Sequence, residues 1–106
     1  MIDLKIGANA RKFNNLNEID ESWINQQINH ARNDSQPICI RVTIEEGSVN
    51  LFLTTQGCAS SGGGSRLPNR DESRVFDLWS EMKLDGRDFQ PRKFIAFFKR
   101  LRDIIS

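Results

Sequence analysis

Residues 38–54, Ile-Cys-Ile-Arg-Val-Thr-Ile-Glu-Glu-Gly-Ser-Val-Asn-Leu-Phe-Leu-Thr, decide the fold of this chain. Apolar residues alternate with polar ones on both sides of the turn Glu46-Gly47-Ser48. The apolar set comprises Ile38, Ile40, Val42, Ile44, Val49, Leu51 and Leu53. A period of two residues is typical of strands that bury one face. The stretch therefore predicts a β-hairpin with one apolar face.

Phe52 is the one large apolar residue on the polar side of this predicted hairpin. Its ring either packs against a side chain of the neighbouring strand, such as Arg41 or Thr43, or stays exposed as a contact residue for a partner. Cross-strand packing is the more frequent arrangement for such a residue. Phe52 is nevertheless retained as a candidate for partner binding.

The N-terminal part of the chain predicts one strand and one helix. Ile2–Ile6 alternates apolar and charged residues, which indicates a strand, and the alternation breaks between residues 7 and 15. A helix is expected from about Asn17 to about Arg32, because a candidate cap and acidic residues stand at its start. Its apolar residues keep a spacing of three and four and are Leu16, Ile19, Trp23, Ile24, Ile28 and Ala31.

Two further helices are predicted in the C-terminal part. Asn69 followed by Glu72 approximates a capping box, so a helix of about four turns begins there, with Gly86 available for a left-handed stop. A third helix is expected to start near Asp88 and Pro91, because proline is tolerated in the first helical turn. Its apolar stripe comprises Phe94, Phe97, Phe98, Leu101, Ile104 and Ile105.

The predicted fold is α+β, a two-layer sandwich in which three helices cover a three-stranded sheet, with the element order β-α-β-β-α-α. The 106 residues are expected to form a single domain with a flexible Gly/Ser loop at residues 57–65. The first β-α-β step is a right-handed crossover if its strands are parallel neighbours. The order of the strands in the sheet stays open.

The charge balance argues against recognition by a field of the whole molecule. Fifteen Lys and Arg residues stand against fourteen Asp and Glu residues, a net charge of +1, which does not attract nucleic acid or an anionic membrane over a long range. The start of the chain lacks the basic residues and apolar run of a secretory signal, and no apolar run reaches the ~18 residues of a membrane span. We expect a cytoplasmic protein without membrane contact, and its oligomeric state stays open.

The two cysteines and the single histidine do not indicate catalytic or metal chemistry. The spacing of Cys39 and Cys58 matches no redox or zinc motif. Nucleophilic catalysis by Cys58 needs an oriented base, and His30 falls on a separate predicted helix without an identifiable carboxylate partner. We therefore expect reduced thiols rather than a disulfide, no catalytic residue, no metal site and no cofactor.

The segment 57–65, between the last predicted strand and the second predicted helix, holds four glycines and three serines. A glycine-rich turn before a helix can hold an anion with its backbone N–H groups. The candidate residues of such a site are Gly62, Gly63, Gly64, Arg66 and Arg70. The segment lacks the lysine of a P-loop and the spacing of a dinucleotide-binding motif, so a tether is the favoured interpretation.

Basic residues surround the apolar stripe of the third predicted helix. A core helix with a solvated basic face is the favoured interpretation, because a small domain needs the stripe to close its sheet. Its basic face is still a candidate contact surface, with Arg92, Lys93, Lys99 and Arg100 as its residues. About seven residues join the second and third helices, more than the tight turn of a helix-turn-helix motif.

The leading hypothesis is a small non-enzymatic module that binds another protein or regulates one. It follows from the lack of a convergent catalytic set and from three sources of contact surface: Phe52, the Gly/Ser loop and the basic helix face. The alternative is an anion-binding module for a phosphate-bearing ligand or nucleic acid at residues 57–72. Nucleic acid is therefore a permitted partner but not the favoured one.

Overall fold

A computed structural model of the chain describes residues 1–31, 38–55, 67–84 and 90–105. These ranges form an α+β fold with three α-helices and an antiparallel sheet. The elements are β1 (Ile2–Ile6), β2 (Asn9–Phe13), a short 3-10 helix (Leu16–Glu18), α1 (Glu21–Ala31), β3 (Ile40–Glu46), β4 (Val49–Thr54), α2 (Arg70–Glu81) and α3 (Pro91–Ile105). The predicted class and the predicted set of three helices are confirmed.

The prediction of three strands is wrong, because the sheet has four in the order β2-β1-β3-β4. The additional strand, β2, lies where the alternation of the sequence breaks, and only its last residue, Phe13, is buried. An edge strand with so little buried surface carries no apolar pattern to mark it. All neighbouring strands are antiparallel, so the crossover rule for parallel strands does not apply between β1 and β3.

Two glycines make the tight turns of the sheet. Gly7 (φ +60°) lies between β1 and β2, and Gly47 (φ +56°) lies between β3 and β4. Left-handed backbone at these positions favours glycine, which has no Cβ to clash. A Cβ added at Gly7 would lie 3.3 Å from the Cβ of Ala31, so this turn also permits a close approach of the end of α1.

One face of the sheet packs against the helices. With the exception of Phe52, the apolar residues of β1, β3 and β4 point to this face and are buried, as the alternation predicts. Helix α1 packs against β1, α2 packs against β4, and α3 packs against both α1 and α2. The side chains of the opposite face are half-buried or exposed. We call this opposite face the open face of the sheet.

Helix α1 begins at Glu21 rather than at the predicted Asn17. Asn15 caps the 3-10 helix, with its Oδ1 accepting a hydrogen bond of 2.9 Å from the backbone of Asn17. Asp20 then accepts a hydrogen bond of 3.1 Å from the Trp23 N–H at the start of α1. The sequence pattern predicts this segment as one helix. Because it contains two successive N-caps, it forms two helices instead.

The predicted capping box of α2 is confirmed. The Asn69 side chain accepts a hydrogen bond of 2.8 Å from the Glu72 N–H, and the Glu72 carboxyl accepts one of 3.0 Å from the Asn69 N–H. The same Asn69 side chain donates to the Ser48 carbonyl at 2.7 Å. The start of α2 is therefore fastened to the turn between β3 and β4.

A left-handed residue that is not glycine follows the end of helix α2 at Glu81. Lys83 has a φ of +56°, and its N–H donates to the Ser80 carbonyl at 3.0 Å. The buried Leu84 donates to the Trp79 carbonyl at 3.2 Å, which completes the hydrogen-bond pattern of a Schellman motif. The predicted stop at Gly86 lies outside the described residues.

Helix α3 begins at Pro91, as predicted, and its apolar stripe meets α2. The contact is an aromatic cluster of Trp79, Phe94, Phe97 and Phe98, in which all four side chains are buried. The ring centroids of Trp79 and Phe97 are 5.2 Å apart in an edge-on arrangement, which is a favourable geometry for aromatic pairs. The aromatic cluster therefore holds the two C-terminal helices together.

Candidate interaction surfaces

The basic residues of α3 lie on the side of the helix that faces away from the aromatic cluster. Arg92, Lys99 and Arg100 are exposed and Lys93 is half-buried. This follows from the helical period, since the apolar stripe occupies the opposite side of α3. The four predicted partner-binding cations of this helix are therefore neighbours on one surface.

Two cations of α3 have partners on the N-terminal half of the chain. The Lys99 Nζ lies 3.8 Å from the Glu21 Oε1, with 66% and 52% of the two side chains exposed. Such a solvated pair adds little stability. Arg102 donates a hydrogen bond of 3.1 Å to the Leu16 carbonyl. These contacts fix the edge of α3 that borders α1.

The other three cations of this surface have no charge partner in the described ranges. Arg92, Lys93 and Arg100 form neither a hydrogen bond from their side chains nor an ion pair with any described residue. We call these three residues the cationic patch of α3. No acid of the described ranges neutralises their charge, so an acidic group of another molecule can pair with it.

A shallow groove adjoins the cationic patch at the start of α3. It has a volume of about 540 Å³ and is lined by Asn25, Gln90, Pro91, Arg92 and Ile95. Ile95 supplies a half-buried apolar side chain, and Arg92 supplies a charge at the rim. The groove therefore combines a small apolar contact with a cation.

Phe52 lies on the open face of the sheet, with 46% of its surface exposed. It stands opposite Thr43 in the register of β3 and β4, and Arg41 stands opposite Thr54. The helices pack on the other face of the sheet. The structure therefore separates Phe52 from the cationic patch, and the predicted partner-binding residues form two surfaces rather than one.

Four of the five candidate residues of the anion site lie outside the described residues, namely Gly62, Gly63, Gly64 and Arg66. Cys58 lies outside them as well. The proposed tether or cradle at residues 57–65 lies there too.

Arg70, the remaining candidate, is exposed at the first position of α2. Asp71 and Glu72 follow it in the first helical turn, and the Asp71 carboxyl accepts a hydrogen bond of 2.7 Å from the Ser48 hydroxyl. These carboxyl groups already complement the positive end of the helix dipole, so an added anion meets two acidic neighbours. Anion binding at this site stays a prediction.

Glu72 has a structural role that the capping pattern alone does not reveal. Its side chain is fully buried. Besides capping α2, its Oε2 accepts a hydrogen bond of 2.9 Å from the Asn50 N–H on the outer edge of β4. Glu72 therefore joins the helix to the edge of the sheet.

The open face brings together two cations that the sequence patterns did not predict to be neighbours. Lys5 of β1 stands directly opposite Arg41 of β3. The alternation places each of them on the polar side of its own strand. That they are neighbours follows only from the register of two strands that are distant in sequence.

Cys39 is disulfide-bonded, so the expectation of a reduced thiol is wrong for this residue. The other cysteine of the chain, Cys58, lies outside the described residues. Cys39 immediately precedes β3, where its carbonyl accepts a hydrogen bond of 3.0 Å from the Gly7 N–H. The bond is therefore anchored at the start of a central strand.

Replacing Cys39 with serine should lower the free energy of unfolding by about 2–4 kcal/mol in oxidising buffer, because the cross-link restricts the unfolded chain. Urea unfolding with and without reductant measures this change. With reductant, the wild type and the variant should unfold at the same urea concentration. Alkylation of Cys39 in the folded, unreduced protein would contradict the assignment.

Neither a group of metal-binding side chains nor a helix that could span a membrane is found among the described residues. His30 is exposed in the last turn of α1. Within the four described ranges, no three metal-binding side chains of His, Cys, Asp or Glu form a group that could hold an ion. None of the helices in these ranges has the length and apolar character needed to cross a membrane.

No protein-family model, curated protein or solved structure matches this chain.

Proposed function

We propose that this chain is a non-enzymatic protein-binding or regulatory module whose cationic patch binds an acidic surface of another protein. The observation that supports the proposal is the lack of a charge partner for Arg92, Lys93 and Arg100 among the described residues. With a net charge of only +1, the attraction is local to α3 and does not arise from the whole molecule.

The groove beside the patch favours a protein partner. Protein interfaces combine a desolvated apolar contact with a charged rim, and arginine is enriched among the residues that contribute most to binding. Ile95 and Pro91 supply the apolar part of the groove, and Arg92 stands at its border. An apolar side chain flanked by Asp or Glu residues fits this arrangement.

The cellular location is part of the proposal. A cytoplasmic location stays a prediction from the sequence, and the disulfide at Cys39 weighs against it, because disulfides are rare in cytosolic proteins. Fractionation of cells that produce the tagged chain distinguishes the cytoplasm from an oxidising compartment.

Reversing two charges of the patch should abolish partner binding. In the variant Arg92→Glu/Arg100→Glu, recovery of the partner from the native cell extract should fall on the order of tenfold or more, because like charges then face each other across the interface. Quantitative mass spectrometry of proteins recovered with the tagged chain measures the change. Lys99 is left intact, since its reversal would place a second acid beside Glu21.

The matched control is Arg74→Glu/Lys83→Glu, which reverses the same number of exposed charges on α2 and at its end. This control should recover the partner as the wild type does. Equal recovery by the wild type and the Arg92→Glu/Arg100→Glu variant would contradict the proposal for α3. Equal loss in both variants would show that total charge, rather than the patch, governs recovery.

A further inference from the structure

The open face of the sheet carries an unusual distribution of charge. Two of its cross-strand rows, read from β2 to β4, are Lys12, Asp3, Thr43 and Phe52 in one row and Ala10, Lys5, Arg41 and Thr54 in the next. A third row holds the exposed Glu45 of β3 opposite Asn50 of β4. The second row places two cations side by side at the centre of the sheet. The described helices all pack on the other face, so nothing in the described ranges covers these rows.

Lys5 and Arg41 are a pair of like charges in direct opposition. Such pairs destabilise a sheet, because directly opposite side chains begin only about 4.5–5.5 Å apart at Cβ. Neither side chain makes a hydrogen bond or an ion pair with a described residue. The nearest acid in the register is Asp3, which stands opposite Thr43 and Lys12 and forms no ion pair within the described part. Asp3 is a diagonal neighbour of Arg41 on this face, but no acid stands directly opposite either cation, so an anion placed between them would reduce their repulsion.

Phe52 lies beside this pair of cations. Phe52 stands opposite Thr43, and Thr43 lies two residues along β3 from Arg41. Phe52 and Arg41 are therefore diagonal neighbours on the same face. Diagonal neighbours of this kind are about 7–8 Å apart and within reach of aromatic and long side chains. Because 46% of the surface of Phe52 is exposed, a ligand can stack on its ring beside the two cations.

We propose that the open face binds single-stranded nucleic acid, with a phosphate held between Lys5 and Arg41 and a base stacked on Phe52. Exposed sheet faces that pair an aromatic ring with basic side chains bind single strands in this way, because every base has a face that stacks and every phosphate carries a charge. An acidic peptide would satisfy the cations but would leave the ring without a stacking partner. Lys12, at the outer strand, is a third cation of this face and stands opposite Asp3.

This site is independent of the proposed protein-binding function. The two surfaces lie on opposite sides of the sheet and share no residue. Replacing Arg92 and Arg100 should therefore leave nucleic-acid binding unchanged, so that failure of one proposal does not imply failure of the other.

The test uses fluorescence anisotropy of a short fluorescein-labelled oligothymidine titrated with the whole protein at low salt. The variant Lys5→Gln/Arg41→Gln should bind on the order of tenfold more weakly, and the slope of log affinity against log salt should become shallower by about 0.7, which corresponds to the loss of one phosphate contact on a single strand. Phe52→Ala should also lose on the order of tenfold in affinity, with an unchanged salt slope. The matched control is Arg74→Gln, which removes an exposed cation of α2 and should bind as the wild type does.

Three results would overturn the proposal. They are the absence of an anisotropy change with the wild type at low salt, an equal loss of affinity in Arg74→Gln, and equally tight binding of polyglutamate that does not respond to Phe52→Ala. Thermal unfolding of each variant, followed by circular dichroism, is measured in parallel. A loss of affinity that is caused by unfolding is thereby distinguished from the loss of a contact at the site. Lys5→Gln/Arg41→Gln should unfold at or above the wild-type temperature, since the repulsion between the cations is removed.

Discussion

Replacing Phe97 with alanine should lower the free energy of unfolding by about 3–5 kcal/mol, the largest effect that we expect from a single substitution in this chain. The ring is fully buried and lies at centroid distances of 5.2 Å from Trp79 and 5.5 Å from Phe98. Its removal loses the apolar burial, opens a cavity and breaks these ring contacts. Because the cavity lies between α2 and α3, both helices lose support at once.

Thermal unfolding followed by circular dichroism measures this effect, and a domain of this size should lose about 15–30 °C. The matched control is Phe52→Ala, the same chemical change on the open face, where nearly half of the ring is already solvated. That variant should stay within about 1 kcal/mol of the wild type. If the two variants were equally stable, the aromatic cluster would not be the contact that holds α2 to α3.

Replacing Glu72 with alanine should lower the free energy of unfolding by about 3 kcal/mol. The substitution removes the acceptor for two backbone donors, the N–H of Asn69 and the N–H of Asn50, which lie 3.0 and 2.9 Å from the two carboxyl oxygens. The two hydrogen bonds are part-buried, the loss of an acceptor costs about 1–3 kcal/mol for a donor that is withdrawn from water, and half of the capping box is lost as well. Helix α2 then loses its attachment to the edge of β4.

Two further substitutions distinguish the buried hydrogen bonds from a general effect of charge. Glu72→Gln keeps the shape of the side chain and one carbonyl oxygen. Its free energy of unfolding should therefore lie between those of the wild type and Glu72→Ala. Asp71→Ala removes a neighbouring acid whose hydrogen bond to Ser48 is exposed, and it should cost less than about 1 kcal/mol. The midpoint of urea unfolding reports all three changes, provided that the slope is constant. A Glu72→Ala variant as stable as Asp71→Ala would contradict the bridging role.

The local patterns of the sequence predict the helices and the central strands well. The stripe of α3 and the capping box of α2 are periodic or fixed-spacing signals, which depend only on residues within one or two turns. The hairpin of β3 and β4 is equally local, because a tight turn sets the pairing of its strands. These elements were therefore predictable without knowledge of the tertiary contacts.

The strand β2 shows where local patterns fail. It is stabilised by pairing with β1 and by contacts made across the fold, not by an apolar face. The Arg11 guanidinium lies 5.0 Å from the ring centroid of Phe13 and 5.8 Å from that of Trp23, and it pairs with Asp20 at 3.4 Å. The 3-10 helix separates Arg11 from Trp23 and Asp20 in the sequence. No short stretch of sequence therefore contains Arg11 together with these two partners.

By itself, the sequence determined an α+β chain with three helices and one-faced central strands, because periodicity, capping and composition are properties of short segments. Only the tertiary structure decided which polar residues are neighbours. The antiparallel register of β1 and β3 places Lys5 opposite Arg41, and the packing of all the described helices on one face separates Phe52 from the cations of α3. Register and sidedness are set by contacts between distant segments, and for this reason the division into two surfaces could not be read from the chain alone.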